Sequence, residues 1–229
     1  MSLKYKLFLF DLDDTLLDFR ASEKLSFQRS LASFSFPMSE DLFHAYQLEN
    51  RKLWKLFEEG KTTKEDLKVD RFRRTFALHG IDLDPEKVSS RYLEALPETV
   101  VLMDHAEEIL RWLRPFGEIG IVTNGIHATQ TLRIKNSPLK DYISFMCVSE
   151  DCGFAKPDER FFEHTSRLAR NFRKEDTLII GDRWEADIVG AHRFGVDSVW
   201  FNPDKTPRPG ETAPTYEIAH LSELRAILT

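Results

Sequence analysis

The chain has 229 residues, 41% of them hydrophobic, and a formal net charge of −6. That is enough to bury one full core and a smaller accessory unit, and the acidic balance excludes nucleic-acid polymers and anionic membranes as expected partners. No apolar run approaches the ~20 residues of a membrane span, the opening hydrophobic stretch is too short for a secretory leader, and Cys147 and Cys152 make neither a disulfide framework nor a metal-binding pair. A cytoplasmic protein is therefore the expectation, and the scattered histidines predict no zinc site.

Residues 5–10 are a short apolar, aromatic-rich run that reads as a buried strand and ends in Asp11, Asp13 and Asp14. Acids at that end of a strand lie where open α/β sheets bind ligands. Asp11 and Asp13 sharing one small site would repel each other unless a cation joins them or one keeps its proton. A hard divalent ion, Mg²⁺, suits such oxygens. Taken alone, the cluster fits a solvated acidic turn as well.

A helical pattern follows. Residues 19–36 carry Leu25, Phe27, Leu31 and Phe34 at mixed three and four spacing; Ser39 caps a second helix that stops at Gly60. Thr63 opens a third, with Leu67, Phe72, Phe76 and Leu78, stopping at Gly80, and Asp84-Pro85 starts a fourth that ends before Pro97. Four helices without an intervening strand read as a bundle inserted after the first strand.

From Val100 the rhythm alternates. Asp104 caps a helix through Arg114, and a strand at 119–122 ends in Thr123-Asn124-Gly125 before a helix at 126–136. A strand at 145–148 precedes Lys156-Pro157 and a helix from Asp158 to Ala169; a strand at 177–180 ends in Gly181-Asp182. A helix at 185–194 and a strand at 196–201 complete the series, with a proline-rich loop at 202–214 and a terminal helix capped by Ser222. Repeated β-α units imply a parallel sheet with right-handed crossovers.

Three more groups fall at strand ends or just after them. The Thr123 hydroxyl, with the N–H groups of Asn124 and Gly125, would form a nest for a phosphate oxygen, although the same tripeptide is also an ordinary turn. Lys156 would neutralise a phosphate, or be one more solvated lysine. Asp182 would complete a Mg²⁺ shell begun by Asp11, with Asp187 one helical turn further on, where an acid also simply meets the helix dipole.

In this order, Asp11-Leu12-Asp13-Asp14-Thr15, Thr123-Asn124-Gly125, Lys156-Pro157-Asp158 and Gly181-Asp182 through Asp187 resemble the four motifs of the haloacid dehalogenase superfamily, in its Mg²⁺-dependent phosphatase branch. The resemblance implies an α/β fold: a Rossmann-like parallel-sheet core of residues 1–17 and 98–229, with a helical cap, 18–97, that closes over the site. It implies phosphate monoester hydrolysis through an aspartyl-phosphate on Asp11. Asp13 would serve as general acid and then base, and Thr123 and Lys156 would hold the transferring group. Mg²⁺ would be held by Asp11, Asp13 and Asp182, with Asp187 behind them.

The cap segment from Tyr46 to Trp54, with Arg71-Phe72 beyond it, is similar to the caps of bacterial pyrimidine 5′-nucleotidases. That likeness implies a nucleoside 5′-monophosphate substrate, with Tyr46 and Asn50 among its contacts. Tyr46, Asn50 and Trp54 share one helix face, which would equally serve to pack the bundle. The alternatives are a sugar-phosphate or other small-metabolite phosphatase, a phosphonatase using a cap lysine, a phosphomutase, a dehalogenase and a phospho-accepting receiver. Asp13 weighs against the dehalogenase, and Asp13 with the insert against the receiver. Arg183-Trp184 and Asp104-His105 depart from the residues common in relatives, so the natural substrate stays open, as does the choice between monomer and dimer.

Overall fold

The computed structural model describes residues 3–229. Strands β1 (Leu7–Phe10), β2 (Glu118–Thr123), β3 (Phe145–Val148), β4 (Thr177–Gly181), β5 (Asp197–Phe201) and β6 (Tyr216–Ile218) form one sheet in the order β3-β2-β1-β4-β5-β6, every pair parallel. Covered on both faces, such a sheet needs apolar runs rather than alternation, and all four residues of β1 are buried. The strand order reverses beside β1, which pairs with β2 on one side and β4 on the other. Phe10 lies level with Ile121 and with Ile180, so the residues that follow these strands emerge together at the crevice where doubly wound sheets bind ligands. The sixth strand was not expected. It is only Tyr-Glu-Ile, too short for a periodic signal, and it adds to the edge of β5.

The chain divides into two compact units: Arg20–Val100, and residues up to Phe19 together with Val101–Thr229. The inserted unit holds four helices, α1 (Phe19–Ala32, joined to it from Arg20), α2 (Glu40–Glu58), α3 (Lys64–His79) and α4 (Pro85–Ala95). Their starts are local chemistry: Ser39 accepts from Leu42 N–H, Thr63 from Asp66 N–H, and Asp84 from Glu86 and Lys87 N–H. Gly80, left-handed at φ 62°, ends α3. The centre is aromatic. Phe27 meets Tyr46 at 4.6 Å, Tyr46 meets Phe72 at 5.1 Å, and Phe72 meets Tyr92 at 5.5 Å between ring centroids.

Two expectations for this unit need correction. The first helix stops at Ala32, because Phe34 N–H turns back to Leu31 and Ser35 takes a left-handed φ of 56°. Its buried face is largely polar, Ser22, Glu23, Ser26 and Ser30 with Phe27 and Leu31, while Leu25 is exposed; Leu78 of α3 is exposed too.

In the larger unit, α5 (Ala106–Leu113) is entered through His105 at φ 65°, not capped by Asp104; His105 turns to Glu108 at 2.9 Å instead. Next come α6 (His127–Lys135), α7 (Ser149–Cys152) and α8 (Glu159–Leu168), the last capped by Asp158, which accepts from Arg160 N–H. The helix expected at 185–194 is in two parts, a π-helical segment Trp184–Val189 and then α9 (Gly190–Phe194). Widened turns of this kind are frequent at functional sites, and Asp187 lies in this one. Ser222 sits inside a 3₁₀ turn before α10 (Leu224–Leu228); the Glu223 carboxylate makes the cap there, accepting from the N–H groups of Ala219 and His220.

Candidate active site

Asp11 continues directly from β1 and its N–H donates to Ile180 O, which ties the first motif to β4. The chain then turns tightly: Leu16 and Leu17 N–H return to Leu12 O, Asp14 takes φ 57°, and the Asp14 carboxylate accepts from Phe19 N–H at the start of α1. This turn separates the fates of the acids. Asp11 is buried in a charged cluster, Asp13 keeps about a third of its side-chain surface (30%), and Asp14 is structural.

Lys156 organises the cluster. Its buried ammonium donates to Asp11 Oδ1 (2.5 Å), Asp187 Oδ1 (2.6 Å) and Val122 O (2.8 Å). An ammonium has three protons, so this arrangement uses all of them, and Lys156 acts by its charge and by fixing Asp11 Oδ1. Burial alone would lower its pKa; Asp11 and Asp187 outweigh that and push it up. The side chain of Asn124 braces the same residue, donating to Lys156 O (2.9 Å) and accepting from Lys156 N–H (2.8 Å). Asn124 is therefore a clip between two loops.

Asp182 follows β4 and is held by Thr15, whose hydroxyl accepts from Asp182 N–H (3.1 Å) and donates to Asp182 Oδ1 (3.2 Å). Asp187 Oδ2 accepts from Arg183 N–H (3.1 Å). Gly181 makes room for this. A Cβ there would stand 2.2 Å from Asp187 Oδ2. Oxygens of Asp11, Asp182 and Asp187 all lie within 4.8 Å of one another.

Burial, only partly offset by Lys156, pushes the Asp11 carboxyl up to about 7, and the neighbouring charge of Asp187 adds to the rise. Burial, then the charges of Asp11 and Asp187, pushes Asp182 well above the usual carboxylate range. Three carboxylates thus crowd together, and one ammonium reaches two of them, Asp11 and Asp187. The donor set is all hard oxygen, without nitrogen or sulfur, and it fits a small divalent cation such as Mg²⁺. Asp13, expected in the same set, instead directs its oxygens to Arg133 Nη1 and to Gln130 Nε2 (2.7 Å).

Thr123 closes β2, buried. Its hydroxyl oxygen accepts from Gly125 N–H (3.0 Å) and from Gln130 Nε2 (3.2 Å), which leaves its own proton to give. The cap residues stand differently. Tyr46, expected to meet substrate, is wholly enclosed in the aromatic centre of its unit. Asn50 is buried and satisfied by Glu23 Oε1 (2.8 Å) and Arg71 Nη1 (3.4 Å). Trp54 is half-buried, edge-on to Phe57. Of the departing residues, Trp184 packs edge-on against Trp200, whose indole N–H donates to Asp182 O, and Arg183 is exposed.

The sequence reading missed Thr15, Gln130 and Arg133. Gln130 and Arg133 are three apart on α6, directly after Thr123-Asn124-Gly125, a spacing that puts them on one face. Hydropathy hides them, because Arg133 is 1% exposed while its neighbour Leu132 is 45% exposed.

A doubly wound sheet with buried acids and a lysine at its switch point, interrupted by a helical insert after β1, defines a Rossmann-like α/β core of a particular kind. Residues 8–201 match the family described as haloacid dehalogenase-like hydrolase, and the chain belongs to that family. It is similar to the HAD-hydrolase YfnB of Bacillus subtilis, 38% identical over 98% of this chain and 96% of the relative. A crystal structure of YfnB bound to magnesium superposes with a TM-score of 0.93, covering 99% of each chain. The pyrimidine 5′-nucleotidase YjjG of Escherichia coli is 30% identical over 99% of each chain. The pyrimidine 5′-nucleotidase PynA of Streptococcus pneumoniae is 35% identical over 96% of this chain and 93% of the relative. No helix among the described residues is long and apolar enough to cross a membrane.

Proposed function

We propose that this enzyme is a Mg²⁺-dependent phosphomonoesterase working through an aspartyl-phosphate, with nucleoside 5′-monophosphates, pyrimidines first, as its substrates. The observation that carries the reading is the division of labour between Asp11 and Asp13, two residues apart but in separate hydrogen-bond systems. Lys156 engages Asp11 Oδ1, and Oδ2 is left outside these hydrogen bonds to attack phosphorus in line. Asp13 gives a proton to the departing oxygen and later takes one from the water that cleaves the acyl phosphate. The Thr123 hydroxyl donates to a non-bridging oxygen, and the Lys156 charge stabilises the transferring group. Asp11 and Asp182 would hold the Mg²⁺, with Asp187 held back by Lys156 and Arg183 N–H. When bound, the ion neutralises the charge that phosphate and carboxylates bring together.

The nucleotide part rests on YjjG and PynA, both pyrimidine 5′-nucleotidases similar to this chain over nearly its whole length. Tyr46 and Asn50 serve the packing of their own unit, so base recognition is not assigned to them. Values of kcat/KM for UMP, dUMP, AMP, ribose 5-phosphate and phosphoglycolate with Mg²⁺ test the proposal. Preference for UMP and dUMP is expected. Ribose 5-phosphate matching them would show that the base is not read, and no phosphate release from any of the five would remove the phosphomonoesterase reading.

A further inference from the structure

We infer that Gln130 and Arg133 form a clamp that orients Asp13 for proton transfer, which makes Arg133 a positioning residue for the leaving-group step; the inference rests on the phosphomonoesterase reading above. Both carboxylate oxygens of Asp13 are held from one face of α6: Oδ1 by Arg133 Nη1 and Oδ2 by Gln130 Nε2 at 2.7 Å. A carboxylate anchored at both oxygens cannot turn about its last torsion, yet 30% of the Asp13 side-chain surface stays exposed to meet a reactant. The clamp is itself oriented. Arg133 Nη1 also donates to Gln130 Oε1 (2.8 Å), which determines which end of the amide faces Asp13.

The same Nε2 donates to Thr123 Oγ1 at 3.2 Å, so one amide couples the acid to the residue at the end of β2. Gly125 leaves room for this arrangement, since a Cβ there would lie 2.2 Å from Gln130 Nε2 and push the amide aside. Arg133 contributes little to the fold in return. It is 1% exposed, its Nε and Nη2 have no hydrogen-bond partner among the described residues, and its guanidinium rests over the Phe19 ring at 5.4 Å. A buried cation with idle donors is a poor stabiliser; holding Asp13 accounts for its position.

Arg133→Met keeps most of the volume and removes the fork, and Gln130→Met does the same for the amide. The measurement is kcat/KM with Mg²⁺ on p-nitrophenyl phosphate, whose leaving oxygen needs little protonation, and on UMP, or on ribose 5-phosphate if UMP is not hydrolysed. Asp13→Ala is the reference. Each clamp variant should lose about 10–100-fold on the alkyl phosphate, a part of the ~10²–10⁴-fold that a general acid supplies. The loss on p-nitrophenyl phosphate should be under about threefold, with KM on both substrates and the melting temperature close to wild type. Arg133→Lys should recover part of the alkyl loss, since an ammonium reaches Asp13 without the planar fork. Equal losses on both substrates, or none on either, in soluble Gln130→Met and Arg133→Lys proteins would overturn the clamp even if Arg133→Met does not fold. Equal losses in Asp13→Ala would instead sink the acid role on which the clamp depends.

Discussion

At the scale of single residues, the site separates groups that a one-dimensional motif runs together. Asp11, Asp13 and Asp14 are near neighbours in sequence, yet one faces an ammonium, one an arginine and an amide, and one the start of a helix. Asp11→Asn should fold, because an amide fills the same space and relieves a crowded set of carboxylates. Phosphate release should fall below detection, with the circular dichroism spectrum unchanged; near-normal turnover by the folded variant would contradict a nucleophilic Asp11. Gly181→Ala should act through Asp187. The new methyl group, 2.2 Å from the Asp187 carboxylate, must displace it from Lys156 and Arg183 N–H. Overpacking of this kind costs about 1–3 kcal/mol, read as a lower melting temperature, and activity should drop at least tenfold with it. A variant that kept full activity would show that Asp187 does not govern the placement of Lys156.

At the scale of elements, the helices of the inserted unit draw on two sources of stability. Caps such as Ser39 and Thr63 contribute about 1 kcal/mol each. The aromatic centre of Phe27, Tyr46, Phe72 and Tyr92, with its tilted and edge-on rings, contributes more, because each ring buries a large area in defined geometry. Phe72→Ala should cost about 3–5 kcal/mol. Hydrogen exchange should then quicken in peptides from α2, α3 and α4 while β1, β2 and β4 keep their protection. Uniformly faster exchange across both units would mean that they do not unfold separately.

At the scale of the whole molecule, the unresolved charge is the main feature: carboxylates from the ends of β1 and β4 and from the π-helical segment converge, with one ammonium joining Asp11 to Asp187. A cation that binds only the folded state stabilises it by about 2.7 kcal/mol at a hundred times its Kd, or roughly 5–10 °C for a chain of this size. Adding Mg²⁺ to chelator-treated protein should raise the melting temperature by that order and restore turnover. Ca²⁺ should raise the melting temperature without restoring turnover, because it prefers longer bonds and more ligands and would mis-set the attacking oxygen. Full activity after exhaustive chelation would contradict the metal reading.

How much of this was legible in the sequence follows from how far each signal reaches. Helix starts at Ser39, Thr63, Asp84 and Asp158 depend on hydrogen bonds spanning two or three residues, and they were readable as written. The parallel sheet was readable from alternating apolar runs, and Asp11, Thr123 and Asp182 at the strand ends, with Lys156 in the connection after β3, from the rule that such ends face one crevice. Only the tertiary structure decided the partners. It turned Asn124 into a brace for Lys156, assigned Thr15 to Asp182, and enclosed Tyr46 among rings from three other helices. It also buried Arg133 while exposing Leu132, the reverse of what hydropathy predicts. The physical reason is distance along the chain. Arg133 takes its position from Asp13, 120 residues away, and no local propensity encodes a contact of that span.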